Sequence, residues 1–239
     1  LHTRFLNQDG ATYVNGEQTY LTMPLLFNIT PESNRGKVMA ALEKDIVETR
    51  HGHLNTGMHG NYYMARYLIQ QRRNDLMTMM MSKETYPSYG YMLKNGATTI
   101  WEEWDGDNSQ IHNTMISIGM WFIAGLAGIQ VDEHHPGFNH FTIAPGVESG
   151  LGNVSATCRS NYGEIASSWK REGQKLILDI KVPPNSSATV IFPASSLDKV
   201  QEGGRSLSGQ SGISSPTFQN GLARCEVASG SYHFSVDAN

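Results

Sequence analysis

Hydrophobic positions in the first half of the chain recur at helical spacing. Val38, Leu42 and Ile46 fall every fourth residue, with Met39 and Ala41 beside them, in a segment opened by Thr30-Pro31-Glu32-Ser33. Tyr63, Met64, Tyr67 and Leu68 repeat the spacing, and Asn74 and Asp75 are placed to cap a further helix carrying Leu76, Met77, Met79 and Met80. The pattern is helical from about Glu17 to Ile129. Beyond Ile129 the period changes to two. Residues 141–144, 154–158, 164–169, 176–182, 188–192, 222–227 and 232–236 read as short strands, separated by turn signals such as Asn161-Tyr162-Gly163 and Pro183-Pro184-Asn185. Strands of this length and spacing predict an antiparallel β-sandwich. The change of period falls in QVDEHHPGFNH, residues 130–140, which divides the chain into 1–130 and 131–239.

The longest apolar run, Met115 to Ile129, is shorter than the ~20 residues that cross a bilayer and is broken by Gly119, Gly125 and Gly128. A buried helix is therefore expected, and no membrane segment. A formal charge of −4 with 17% charged residues provides no electrostatic footprint for nucleic acid. The two cysteines, Cys158 and Cys225, do not fix a redox compartment. The opening residues lack the charged start and apolar centre of a signal peptide, and the N-terminus reads as a cut.

Two connections are longer than a helix linker needs: residues 51–60, HGHLNTGMHG, and 84–109, ETYPSYGYMLKNGATTIWEEWDGDNS. Both are rich in glycine, aromatic and polar residues, the composition of loops that carry sites. Neither a glycine-rich phosphate loop nor a G-x-S-x-G elbow occurs. Glu133, His134, His135 and His140 lack a ligand spacing with a mechanism behind it and read as a polar linker. No metal or other cofactor is expected.

The stretch Trp101-Glu102-Glu103-Trp104-Asp105 is the strongest candidate for chemistry. Hydrolysis of a glycosidic bond needs one carboxylic acid to protonate the leaving oxygen and one carboxylate to attack or to activate water. Tryptophan suits such a site because its face stacks on sugar C–H groups and its ring excludes water. His112, beyond Glu102, is placed to donate to a sugar hydroxyl, and a core histidine is the competing reading. Tryptophans in the core with glutamates at a solvated helix start compete in the same way. Tyr89 and His59, one from each long connection, complete the candidate sugar contacts with Trp101, Trp104, Glu103 and Asp105.

The stretch GATTIWEEWDG, residues 96–106, closely resembles the G-A-T-T-x-W-E-R-W-D segment of the bacterial α-L-rhamnosidases, glycoside hydrolase family 78. GHLNTGMHG, ETYPSYGYM and SQIHNTMISIGMWF are similar to other segments of that family, and PGFNHFTIAP, YGEIASSW and VPPNSSATVIFP to its C-terminal β-domain. The likeness is collinear over nearly the whole chain. It implies a partial (α/α)6 barrel, its second half, followed by an antiparallel β-sandwich, and an inverting hydrolysis of terminal α-L-rhamnose from a glycoside or polysaccharide. By the same resemblance Glu102 matches the general base and His112 a rhamnose contact. The general acid belongs to the first half of the barrel, which these residues do not contain and which is the expected structural partner. Another (α/α)-barrel exo-glycosidase and a non-catalytic sugar-binding fragment remain as alternatives.

The sequence departs from the family pattern at Glu103, where the family has arginine, and at Ile111 and Ile116, where it has asparagine and glycine. The loop from 102 to 112 is also short. These departures leave the matched base in place and alter the leaving-group side. At ~11 residues per helix plus loops, roughly five or six helices fit before Ile129.

Overall fold

The computed structural model describes residues 2–113 and 115–237. They form two compact units, Leu1–Trp121 and Phe122–Asn239.

The first unit is helical. After a short α1 (His2–Phe5), its principal helices are α2 (Gln18–Leu26), α3 (Glu32–Lys44), α4 (Met58–Gln70) and α5 (Asn74–Met81), followed by the short α6 (Tyr89–Lys94) and α7 (Ser117–Met120). Val38, Leu42 and Ile46 are fully buried, so their fourfold spacing forms one continuous seam through α3 and into the wider π-type turn at Asp45–Thr49. Each such side chain contributes roughly 1.5–3 kcal/mol by leaving water. Helix α2 packs on both α3 and α4. The approach to α4 is so close that a Cβ on Gly60 would overlap the Thr19 side chain. The end of α3 is clamped to the start of α5 by Arg73, whose two terminal nitrogens donate to the Glu43 carboxylate at 2.8 Å each.

Two local expectations are corrected. Asn74 does not cap α5: it is the first helical residue, and its side-chain oxygen accepts the Trp121 indole N–H at 2.9 Å. A buried tryptophan needs that acceptor, and this need outweighs capping. Nor is 115–129 one buried helix. Helix α7 gives way to a π-type turn at Trp121–Leu126, and Ile116 and Phe122 are about half exposed.

The second unit is a β-sandwich of eleven strands among the described residues: β1 (Ile129–Val131), β2 (His140–Ile143), β3 (Asn153–Ser160), β4 (Gly163–Glu172), β5 (Lys175–Val182), β6 (Ser187–Pro193), β7 (Val200–Glu202), β8 (Arg205–Ser206), β9 (Ile213–Gln219), β10 (Leu222–Val227) and β11 (Gly230–Asp237). One sheet has the order β1-β2-β6-β10-β9 and the other β3-β4-β5-β11-β7-β8. All pairings are antiparallel except β2 with β6, which run parallel because the intervening strands β3–β5 belong to the opposite sheet. Trp169, Phe141, Phe192 and Phe234 fill the shared core, Phe192 and Phe234 meeting at 4.9 Å between ring centroids.

All seven strand segments read from the sequence are strands. The alternation missed β1, β7, β8 and β9. Strand β9 is an edge strand whose Ser214, Ser215 and Pro216 lack the hydrophobic alternation that marks a half-buried strand. Cys158 and Cys225 lie in different sheets, both free, and burial pushes the Cys225 thiol up to about 12.

Candidate active site

The segment 99–112 folds back on itself as a pinned loop. The Glu102 amide donates to Ser109 O at 2.8 Å and the His112 amide to Ile100 O at 2.9 Å, while the Thr99 hydroxyl bonds Gln110 O. These bonds set Glu102 and His112 on the two facing limbs. At the tip, the Asn108 amide donates to Glu103 at 2.7 Å and the Asp107 amide to Asp105 at 3.1 Å. Glu103 and Asp105 are therefore exposed carboxylates occupied in shaping the turn.

Gly106 closes the turn with φ +82°, and a Cβ there would stand 2.9 Å from the Trp101 ring. The tryptophan ring can approach the loop this closely because glycine offers no side chain. Trp101 and Trp104 are 5% and 9% exposed, whereas Glu102 between them is half-buried. The Glu102 carboxylate receives the Ser109 amide at a long 3.4 Å, and among the described residues it forms no ion pair. Most of its lone pairs remain available to a ligand or water. His112 is half-buried.

Tyr89 is placed elsewhere than a sugar contact needs. It is 4% exposed, and its hydroxyl donates to Met115 O at 2.7 Å and lies 3.1 Å from Asn61 and 3.3 Å from Ser117. Burial raises its pKa above the ordinary phenol value. Its ring meets Trp104 edge to face, with centroids 5.2 Å apart. Tyr89 thus serves as the buttress of Trp104. His59 is exposed on the first turn of α4, away from the pinned loop in sequence and without a bond to it among the described residues.

Trp104 also lines a cleft of about 620 Å³ in the helical unit, together with Asn55, Thr56 and Tyr86 from the two long connections and with Tyr20 and Arg50, which the sequence did not single out. The floor is the 53–57 segment, fixed from below by the fully buried Gln18, whose amide donates to His53 O at 3.0 Å and accepts the Asn55 N–H at 2.8 Å. His53 in turn bonds Arg50 O and the Thr85 hydroxyl, tying the two long connections together. Their unusual composition was the signal for this cleft. Tyr20 and Arg50, on the helical segments beside it, carried no such signal. Among the described residues no group of three His, Cys, Asp or Glu side chains is arranged to hold a metal ion.

Residues 1–126 match the family model of the bacterial α-L-rhamnosidase six-hairpin glycosidase domain. The chain belongs to the bacterial α-L-rhamnosidase family. Residues 128–206 match the bacterial α-L-rhamnosidase C-terminal domain. An α-L-rhamnosidase of Formosa agariphila is 33% identical over an alignment 202 positions long that covers 79% of this chain and 21% of the relative. The structure of an α-L-rhamnosidase from Dictyoglumus thermophilum superposes with a TM-score of 0.87 at 29% identity, over 99% of this chain and 27% of that one. A Streptomyces avermitilis α-L-rhamnosidase, crystallised with L-rhamnose, gives 0.85 at 27% identity over 99% of this chain and 23% of that one. The chain thus spans about a fifth to a quarter of the rhamnosidases it resembles.

Proposed function

We propose that this chain supplies the general-base side of an inverting α-L-rhamnoside hydrolase, with Glu102 deprotonating the water that attacks the anomeric carbon. The observation that carries the reading is the state of Glu102. It is a half-buried carboxylate held by its backbone between two buried tryptophans, free of any cation and bonded only weakly to Ser109 among the described residues. A base needs a fixed carboxylate with unoccupied lone pairs, and aromatic walls keep bulk water from competing with the attacking molecule. His112, on the facing limb, is assigned as a contact to a ring hydroxyl. The general acid is assigned to the part of the barrel outside these residues, as is the rest of the rhamnose pocket.

Inversion requires the acid and base carboxylates to stand ~6.5–9.5 Å apart, leaving room for water. The test uses the intact enzyme that carries this chain, with an aryl α-L-rhamnoside as substrate. Glu102→Gln keeps the fold and is expected to lower kcat by at least about 100-fold. The first rhamnose released, followed by NMR before mutarotation, is expected as the β anomer. Near wild-type turnover by Glu102→Gln removes the base assignment, and an α product shows a retaining enzyme. Failure to cleave rhamnosides, with turnover of another aryl glycoside, reassigns the substrate.

A further inference from the structure

The outer face of the β1-β2-β6-β10-β9 sheet carries a line of polar side chains that the proposed rhamnoside hydrolysis does not use. Phe141, Ala188, Val190, Cys225 and Val227 turn into the core. The alternate positions, His140 on β2, Ser187 and Thr189 on β6, and Arg224 and Glu226 on β10, therefore stand together on the opposite side. In the strand register His140 pairs with Ser187, and Thr189 with Glu226. The imidazole lies across both pairs: His140 Nδ1 is 2.8 Å from Ser187 Oγ, and Nε2 is 3.1 Å from Thr189 Oγ1 and 3.6 Å from Glu226 Oε2.

A hydroxyl has one proton to give, and that fixes the direction of each bond in this line. Thr189 Oγ1 stands 2.9 Å from both oxygens of the Glu226 carboxylate, which only accepts, so the threonine proton goes to Glu226. Thr189 Oγ1 then accepts, from Arg224 at 3.2 Å and from His140 Nε2. The imidazole therefore carries its proton on Nε2, and in the neutral ring Nδ1 is left to accept the Ser187 hydroxyl proton. Thr189 is buried, which keeps water from competing for these bonds. A serine hydroxyl on the unprotonated nitrogen of a histidine, with the far nitrogen held by a third group, is the arrangement of an activated nucleophile.

A second observation places a ligand there. Ser187 lines a pocket of about 450 Å³ on the β-sandwich, within the ~300–1,000 Å³ usual for small molecules. Ala228 and Gly212, joined by the Ala228 amide to Gly212 O at 2.9 Å, line the same pocket and contribute a methyl group and no side chain, which leaves the space open. Glu226 is the one charged side chain that lines it among the described residues. A carboxylate beside the nucleophile repels an anionic ligand, so the pocket favours an uncharged one.

We propose that Ser187 is the nucleophile of a second hydrolytic site, for small uncharged acyl esters, with His140 as its base and with Thr189 and Glu226 as positioning residues that keep the imidazole proton on Nε2. Ser187 Oγ attacks the ester carbonyl carbon as its proton passes to His140 Nδ1. The imidazolium gives that proton to the alcohol oxygen as the bond from it to the carbonyl carbon breaks, which leaves an acyl-serine and the free alcohol. Water, deprotonated by the same Nδ1, then attacks the acyl carbon. The bond to Ser187 Oγ breaks, the serine takes the proton back, and the carboxylic acid leaves. The site stands apart from the base role of Glu102 and does not rest on it.

The experiment uses the intact enzyme that carries this chain. A fluorophosphonate probe is expected to form a covalent adduct on Ser187, located by mass spectrometry, and an aryl butyrate is expected to be hydrolysed. Ser187→Ala should abolish the adduct and lower the butyrate rate by at least about 100-fold, with turnover of an aryl α-L-rhamnoside unchanged. Thr189→Val, which removes the acceptor from Nε2, should slow adduct formation about tenfold, and Thr189→Ser should restore it. No adduct on wild-type Ser187 at saturating probe, or a butyrate rate that Ser187→Ala leaves intact, overturns the proposal. So does a fall in melting temperature for Thr189→Val with adduct formation unaltered, the result expected if the line of bonds only braces the sheet. An aryl hemisuccinate hydrolysed as fast as the butyrate overturns the choice of an uncharged acyl group. Glu102→Gln is expected to lose rhamnoside turnover and keep the Ser187 adduct, so either assignment can fail without the other.

Discussion

Tyr89 and Trp104 meet edge to face, with ring centroids 5.2 Å apart and planes 84° apart, joining the helix α6 start to the loop that carries Glu102. The tyrosine hydroxyl is spent on the opposite side, on Met115 O, Asn61 and Ser117. Ring and hydroxyl therefore have separable jobs. Tyr89→Phe keeps the support of Trp104 but leaves buried acceptors unpaired, and is expected to lower stability by about 1–3 kcal/mol. Tyr89→Ala removes both and should cost about 3–5 kcal/mol. Urea denaturation checks the pair, and equal midpoints for wild type and Tyr89→Phe refute the role of the hydroxyl.

Gly106 is the residue on which the geometry of the pinned loop turns. Alanine there is strained by φ +82° and places its methyl carbon 2.9 Å from the Trp101 ring. The expected cost is about 1–3 kcal/mol, accompanied by a loss of kcat as Trp101 and Glu102 are displaced together. A variant of normal melting temperature and normal kcat would show that the loop tolerates another path.

Acid should loosen the clamp between α3 and α5. Hydrogen bonding to Arg73 holds the Glu43 carboxyl below its ordinary value of 4.5. A depressed carboxyl pKa contributes stability that is complete above the ordinary value and is lost as pH falls below 4.5 through the lowered one. With 45% of the Glu43 side chain exposed, solvent screening keeps the contribution at about 1 kcal/mol or less. Arg73→Met is expected to lower the urea midpoint near neutrality and to flatten part of its fall between pH ~5 and ~3. Parallel pH profiles for wild type and variant would refute the coupling.

The α2–α4 contact makes a prediction in the form of a pair. Gly60→Ala overlaps the Thr19 side chain and should destabilise by about 1–3 kcal/mol. Thr19→Ala opens the space and should recover part of that loss, giving a favourable coupling in a double-mutant cycle. Additive effects would mean that the helices move apart instead.

Much of this architecture was legible in the sequence because burial leaves a period. Val38, Leu42 and Ile46 announce a helix seam by their spacing, and the seven hydrophobic strand segments alternate because each faces one core. The strands that escaped notice are short or, like β9, lie at an edge with polar and proline residues, where alternation is weak. The helical content showed the same limit. Among the described residues the first unit has seven α-helices, only four of them of eight or more residues, where five or six of average length would fit, since part of the chain is spent on short turns of helix and on the two long loops.

The candidate stretch was legible as a composition, tryptophan and carboxylate together, and its resemblance to a family gave Glu102 and His112 their proposed roles. What the sequence by itself determined is therefore the class of fold and the family, and it singled out the segment proposed to carry the base, because these depend on local spacing and on motifs contiguous in the chain. Tertiary structure alone decided the rest. It turned Tyr89 inward to brace Trp104, gave Asn74 to Trp121, and assigned Glu103 and Asp105 to the turn. It also gathered Tyr20, Arg50, Thr56 and Tyr86, from three separate segments of the chain, around one cleft. Which polar groups end up paired, and which stay open to a ligand, depends on contacts between distant segments, and no local pattern encodes those contacts.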